Sequence, residues 1–240
     1  MKTGKLSLAI GLILFVLVLN GCTDDLFIKG NGIVTSESRY ASPFTEVNSS
    51  GSFDVHITPG ESWSITVNAE SNLLPYIDTD ISHGVLELTV RGIRQMTNTR
   101  PMEIYVTTPV LNAIRLSGSG DITSGFFACE NFTALLSGSG YIKTAFLAEE
   151  ADLTLSGSGN MEVNGNTEKG RLTISGSGKI MGYNMKVKDC IATISGSGDV
   201  YIYPLTKLHA NIMGSGYVFY AGDPQVTSYI TGSGKVLRGF

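Results

Sequence analysis

Seven near-identical heptapeptides punctuate the second half of the chain: LSGSGDI from Leu116, LSGSGYI from Leu136, LSGSGNM from Leu155, ISGSGKI from Ile174, ISGSGDV from Ile194, IMGSGYV from Ile212 and ITGSGKV from Ile230. Their GSG triplets begin at 118, 138, 157, 176, 196, 214 and 232, a period of 18 to 20 residues. Such a period marks a stacked repeat, in which each unit buries its apolar face only against its neighbours. Short alternating runs of Ile, Val, Leu, Thr and Tyr between Gly and Ser are a strand-and-turn signature, which excludes helical repeats. Leucine-rich repeats share the length, but their asparagine ladder and leucine spacing are absent. The expectation is an all-β parallel β-helix.

Aligning the units exposes a core. Leu116, Leu136, Leu155, Ile174, Ile194, Ile212 and Ile230 share one phase, and Ile122, Ile142, Met161, Ile180, Val200, Val218 and Val236 share another. Two residues before the first column lie Ile114, Ala134, Leu153, Leu172, Ala192, Ala210 and Ser228, on the same strand face because side chains alternate. Three stacks facing one interior predict a closed coil.

Each triplet then falls at a corner between inward-facing positions. The corner glycines are Gly118 and Gly120, Gly138 and Gly140, Gly157 and Gly159, Gly176 and Gly178. Gly196 and Gly198, Gly214 and Gly216, and Gly232 and Gly234 complete the set. Glycine supplies a positive φ at little steric cost and leaves room between corners stacked about 4.8 Å apart. Serine hydroxyls are expected to bond to one another or to backbone along the ladder. A phosphate-cradling role does not fit: no copy has the third glycine of G-x-G-x-x-G, and no G-x-x-x-x-G-K-[ST] occurs.

Upstream, Val47 to Val55 matches the repeat phase, with Phe53 where the second glycine would stand. Alternating runs follow at 53–58, 63–68, 76–81, 85–91 and 102–107, with Pro59-Gly60 and His83-Gly84 as turns. These strands are expected to meander antiparallel and cap the first rung, because an open solenoid end exposes core and strand edges. Only Val236, Leu237 and Phe240 follow the last triplet as apolar residues, so the C-terminal end is expected to be covered by another chain, a second copy.

The N-terminus reads as a targeting segment: Lys2 and Lys5, an apolar stretch from Leu6 to Leu19, then Leu19-Asn20-Gly21-Cys22. That tetrapeptide resembles the lipobox of bacterial lipoproteins, which implies acyl chains, palmitate among them, on Cys22 and a tether to the membrane. Asp24-Asp25 behind the cysteine resembles the Bacteroidota signal that sends lipoproteins to the outer face of the outer membrane. The expected organisation is a signal peptide at 1–21, an acylated tether at 22–39 and one β-helix domain at 40–240, with widened turns and cap at 40–110 and regular repeats at 111–240.

A net charge of −4, with no basic run, argues against nucleic acid. Cys129 and Cys190 sit at different phases three turns apart, about 14 Å, beyond the reach of a disulfide, so two buried free thiols are expected. His56, His83 and His209 lack zinc spacing, and the Asp78-Thr79-Asp80 run lacks enough oxygen ligands for calcium, so neither a metal nor a cofactor is expected. Asp121 and Asp199 stand four turns apart, near 19 Å, too far for a glycosidase pair. No catalytic constellation can be assembled.

One phase remains variable: Asp121, Tyr141, Asn160, Lys179, Asp199, Tyr217 and Lys235, directly after each triplet. It predicts an outward stripe, read either as a solvated face or as a candidate binding column for a glycan or protein, since tyrosine joins an apolar face to a polar tip.

The segments FTEVNSSGSFDVHITPG, SITVNAESNLLPYIDTDISHGVLELTV and EIYVTTPVLNAIRLSGSGDI, with the LSGSG repeats, are similar to the DUF2807 family of auto-transporter adhesin head (GIN) domains. The resemblance implies a right-handed β-helix and a Bacteroidota envelope protein, and offers no catalytic motif. The resulting expectation is a non-catalytic adhesin-like binding or structural module on an outer-membrane lipoprotein at the cell surface. A periplasmic scaffold or sensing partner is the alternative, and a carbohydrate-processing enzyme a third reading.

Overall fold

The computed structural model describes residues 27–92 and 95–239; the leader, Cys22 and the Asp24-Asp25 pair lie outside the described residues. The chain forms β1 (Phe27–Lys29), β2 (Val34–Arg39), β3 (Glu46–Gly51), β4 (Asp54–Pro59), β5 (Ser64–Glu70), β6 (Ile77–Ser82), β7 (Val85–Val90), β8 (Gln95–Thr97) and β9 (Glu103–Thr108). The repeats supply β10 (Ala113–Gly118), β11 (Asp121–Ala128), β12 (Asn131–Gly138), β13 (Tyr141–Gly157), β14 (Asn160–Gly176), β15 (Lys179–Gly196) and β16 (Asp199–Gly214). The chain ends in β17 (Tyr217–Tyr220), β18 (Gln225–Gly232) and β19 (Lys235–Arg238). Together they make a β-solenoid of about seven turns with a nearly closed mixed sheet at its N-terminal end.

The repeat phase becomes the ladder register. Leu116 pairs with Leu136, Leu136 with Leu155, Leu155 with Ile174 and Ile174 with Ile194, always in parallel. The aliphatic columns are buried from Leu116 to Ile212 and from Ile122 to Val218. Phe132 and Phe146 add a stacked pair in the interior, ring centroids 4.3 Å apart. Ser124 and Thr144, inward-facing on adjacent rungs, satisfy each other through a 2.7 Å hydroxyl bond.

The two glycines of a triplet serve different needs. The first adopts φ between 123° and 139°, a region that favours glycine, and a Cβ there would stand within 2.4 Å of the carbonyl oxygen one rung below. The second has no such φ but is equally crowded: a Cβ on Gly140 would meet the Gly120 oxygen at 2.2 Å. Closeness makes the corner's bonds, as the Gly118 oxygen accepts from the Ser139 and Gly140 N–H groups at 3.0 and 3.2 Å. Along the middle-serine column the hydroxyl bond found is Ser233 to Ser215, 3.0 Å, at the end of the coil. Gly165, outside the triplets, is a further corner, with φ 134° and no space for a Cβ above the Phe146 carbonyl.

In the N-terminal part the expected antiparallel meander is corrected to a mixed sheet. β7 and β9 run parallel to β3 and β4, extending the coil by one more rung. The chain then reverses: β6 lies antiparallel to β7, β5 to β9, and β2 to β5. β2 falls in the stretch expected as tether, where it pairs over all six residues from Val34 to Arg39. Phe53 takes the second-glycine position of the first rung, its ring buried in the core. His83, at φ 53°, and Gly84 form the turn between β6 and β7.

Glu70 at the end of β5 is inaccessible to solvent. Its carboxylate accepts from the Gly32, Thr99 and Arg100 N–H groups and from the Thr99 hydroxyl. Burial alone would raise its pKa, but the donors prevail and hold the carboxyl down at about 2. This acceptor ties two loops to the cap.

Candidate functional site

The seven variable residues form one outward column. Ladder pairing runs from Asp121 through Tyr141, Asn160, Lys179, Asp199 and Tyr217 to Lys235, and continues downward through Asp54 to Glu103. Several members are bonded along it. Lys179 Nζ lies 3.1 Å from Asp199 Oδ2, and this contact raises the lysine pKa. Tyr141 donates its hydroxyl to Glu162 at 2.6 Å, while Glu162 also holds Lys143 at 2.8 Å. Burial first and the Glu162 carboxylate next push the Tyr141 phenol up to about 12. Burial and the neighbouring Asp121 raise the Asp54 carboxyl.

Alternation places a second outward column two residues further on, and it carries more aromatic surface. Met181, Tyr201, Phe219 and Leu237 are consecutive members. Tyr201 and Phe219 stack at 4.8 Å with planes 9° apart, and Tyr217 joins Phe219 at 5.7 Å. Tyr183 lies 4.9 Å from Tyr201 because β15 carries three extra residues, 183–185, between Gly182 and Lys186 relative to β16, with Met185 turned into the core. Tyr201 and Phe219 cover one another's faces, while Tyr183 is tilted against Tyr201 and exposed. The strand period could have revealed Tyr201 and Phe219; the bulge that brings in Tyr183 has no signal in the repeat.

Among the described residues, no three His, Cys, Asp or Glu side chains gather where they could hold a metal ion. Asp78 is taken up by the Arg91 guanidinium, with Nε at 3.1 Å. His56 stacks on Tyr105 at 4.9 Å. Both Cys129 and Cys190 are free thiols, but the expectation that both are buried holds for Cys190 alone; Cys129 is half-buried, beside exposed Leu147 at the rim of a shallow cleft. Burial drives the Cys190 thiol up to about 12.

Among the described residues, nothing covers the last rung. All eight residues of β18 are exposed, including Val226 and Ile230, whose counterparts Leu208 and Ile212 one rung below are sealed.

The profile of the family described as "Putative auto-transporter adhesin, head GIN domain" matches residues 43–224. The chain belongs to the DUF2807 family. No curated protein matches it. Among solved structures, a putative adhesin from Bacteroides fragilis is similar with a TM-score of 0.84 at 19% identity, covering 88% of this chain and 100% of that one. A putative lipid binding protein from Parabacteroides distasonis gives 0.75 at 22%, covering 89% and 100%. A putative adhesin from Parabacteroides merdae gives 0.72 at 21%, covering 89% and 99%. At these identities the likeness between the DUF2807 chain and these structures establishes a shared fold alone.

Proposed function

We propose that this DUF2807 chain is a non-catalytic, adhesin-like binding module, displayed at the cell surface by acyl chains on Cys22 in the outer membrane. The observation that carries the reading is the pair of outward columns, in register along the coil, where polar residues from Asp121 to Lys235 flank the Tyr183, Tyr201, Tyr217 and Phe219 rings. A rigid rod with its backbone bonds consumed internally can present such a stripe at fixed spacing, and amphipathic aromatic rings suit glycan or protein contact. The bare β18 edge supports self-association through the C-terminal ends of two copies, because the opposite end of the coil is closed by its own mixed sheet.

Three experiments test this. Protease treatment of intact cells should remove the protein; full protection would move the module to the periplasmic side, as a scaffold or sensing partner. A glycan and extracellular-matrix array probed with the chain from Thr23 onward should show at least one ligand whose binding a Tyr141→Ala/Tyr217→Ala variant loses. Light scattering that finds only monomer at micromolar concentration would remove the second-copy contact.

A further inference from the structure

Away from the aromatic stripe, a groove of about 440 Å³ runs across the rungs just after the corner at Glu149-Glu150 and Glu168-Lys169. Its first rim is the in-register column Asn131, Glu150, Lys169, Asp189 and Lys207. Its second rim is Thr133, Asp152, Arg171, Ile191 and His209. Between them the floor is Phe132, Ala151, Gly170 and Cys190, whose side chains belong to the interior. Gly170 has no room to grow inward, since a Cβ would come within 2.8 Å of Val187 Cγ1.

Two properties define what can lie there. The three carboxylates Glu150, Asp152 and Asp189 balance the three cations Lys169, Arg171 and Lys207, so the groove as a whole carries no net charge. Its polar groups are bonded only in part: Lys169 holds Glu150 at 2.6 Å and Thr154 donates to Asp152 at 3.2 Å, but Arg171 stands 3.9 Å from Asp152, and the Lys207 and His209 side chains make no hydrogen bond or ion pair among the described residues. Unmet donors and acceptors over a small, closed floor fit a ligand rich in hydroxyls.

An extended peptide fits poorly. Peptide addition needs a free strand edge or apolar side-chain pockets, and this groove crosses strands whose ladder bonds are made, over a floor that offers no pocket. Polyanions and polycations would each face one set of like charges. A rung spacing of about 4.8 Å approximates the length of one hexopyranose unit, so successive rungs can meet successive sugars. We propose that this groove binds a chain of neutral hexopyranose units lying along the coil axis. The inference names a ligand class and a site separate from the aromatic columns, and is independent of membrane placement.

The test is calorimetric titration of the full chain, in a detergent without a sugar headgroup, with malto-, cello-, manno- and chitohexaose, and with hexagalacturonate and a Gly-Ser hexapeptide for comparison. At least one neutral hexasaccharide should bind, about tenfold or more tighter than hexagalacturonate. Asp152→Ala/Arg171→Ala should weaken it by at least about tenfold, the loss of one or two charge-assisted hydrogen bonds, at an unchanged melting temperature. Lys207→Gln should weaken it less, and Tyr141→Ala/Tyr217→Ala not at all. No binding of any neutral hexasaccharide at millimolar concentration, indifference to the groove variants, or preference for the peptide would overturn the proposal. Binding lost only in the tyrosine variant would leave the aromatic columns as the site and remove the groove.

Discussion

The carbonyl oxygen of Gly138 lies 2.4 Å from the point that a Cβ on Gly157 would occupy. The same oxygen accepts from the Ser158 and Gly159 N–H groups, both at 3.0 Å, so the contact that forbids a side chain is also the bond that holds the corner. Gly157→Ala combines a positive-φ strain with a backbone clash and is expected to destabilise by about 2–4 kcal/mol. Gly159→Ala, crowded by the Gly140 oxygen at 2.4 Å and Leu136 Cδ2 at 2.7 Å but without a positive φ, is expected to cost less. Denaturant unfolding of the two variants measures the order, and an equal or reversed order would show that the φ of the first glycine is not the stricter demand.

In the middle of the aliphatic column Leu155 is sealed between Leu136 and Ile174, whereas Ile230 occupies the same phase on the open rung. Leu155→Ala should cost about 2–5 kcal/mol, the range for a buried leucine that leaves a cavity. Ile230→Ala should cost well under half of that in the monomer. A large cost for Ile230 that grows with protein concentration would mean that the end rung is covered in solution.

Glu70 gives the cap a specific acid response. Its folded pKa is depressed to about 2, so the stabilisation is present above the unfolded carboxylate range, near 4.5, and is lost as pH falls from there through about 2. Hydrogen exchange of the Gly32, Thr99 and Arg100 amides should accelerate in that window before the repeats lose protection. Glu70→Gln should bring the same acceleration at neutral pH. Unchanged exchange in the variant would mean that the carboxylate does not tie the loops down.

Tyr141 is expected to remain protonated until about pH 12, later than an ordinary tyrosine, because burial and the Glu162 carboxylate both disfavour phenolate. Ultraviolet titration of the native chain beside Tyr141→Phe isolates it. Glu162 retains Lys143 in the variant, so the loss of stability should be small, about 1 kcal/mol.

Thiol labelling should distinguish the two described cysteines. Cys190, pushed up to about 12 and buried, should react only on unfolding, while half-buried Cys129 should react in the native state at a reduced rate. Comparable native-state rates would show that the wall around Cys190 opens.

The repeat was enough to place the coil, its columns and its corners, because a parallel ladder must stack equal phases and a strand must alternate its faces. Leu116 through Ile212, and the outward run from Asp121 to Lys235, follow from those two rules alone. Where the chain reverses was not legible: β5 and β6 alternate just as β7 and β9 do, and only pairing with distant partners made the first two antiparallel and the second two continuations of the coil. The bulge that adds Tyr183 to the aromatic stack and the corner that opens the groove beside Asp152 and Arg171 also depend on how rungs of unequal length fit together. Sequence by itself determined which residues share a column; tertiary structure decided which columns stand close enough to act together, because distances between faces come from where the chain bends and not from its period.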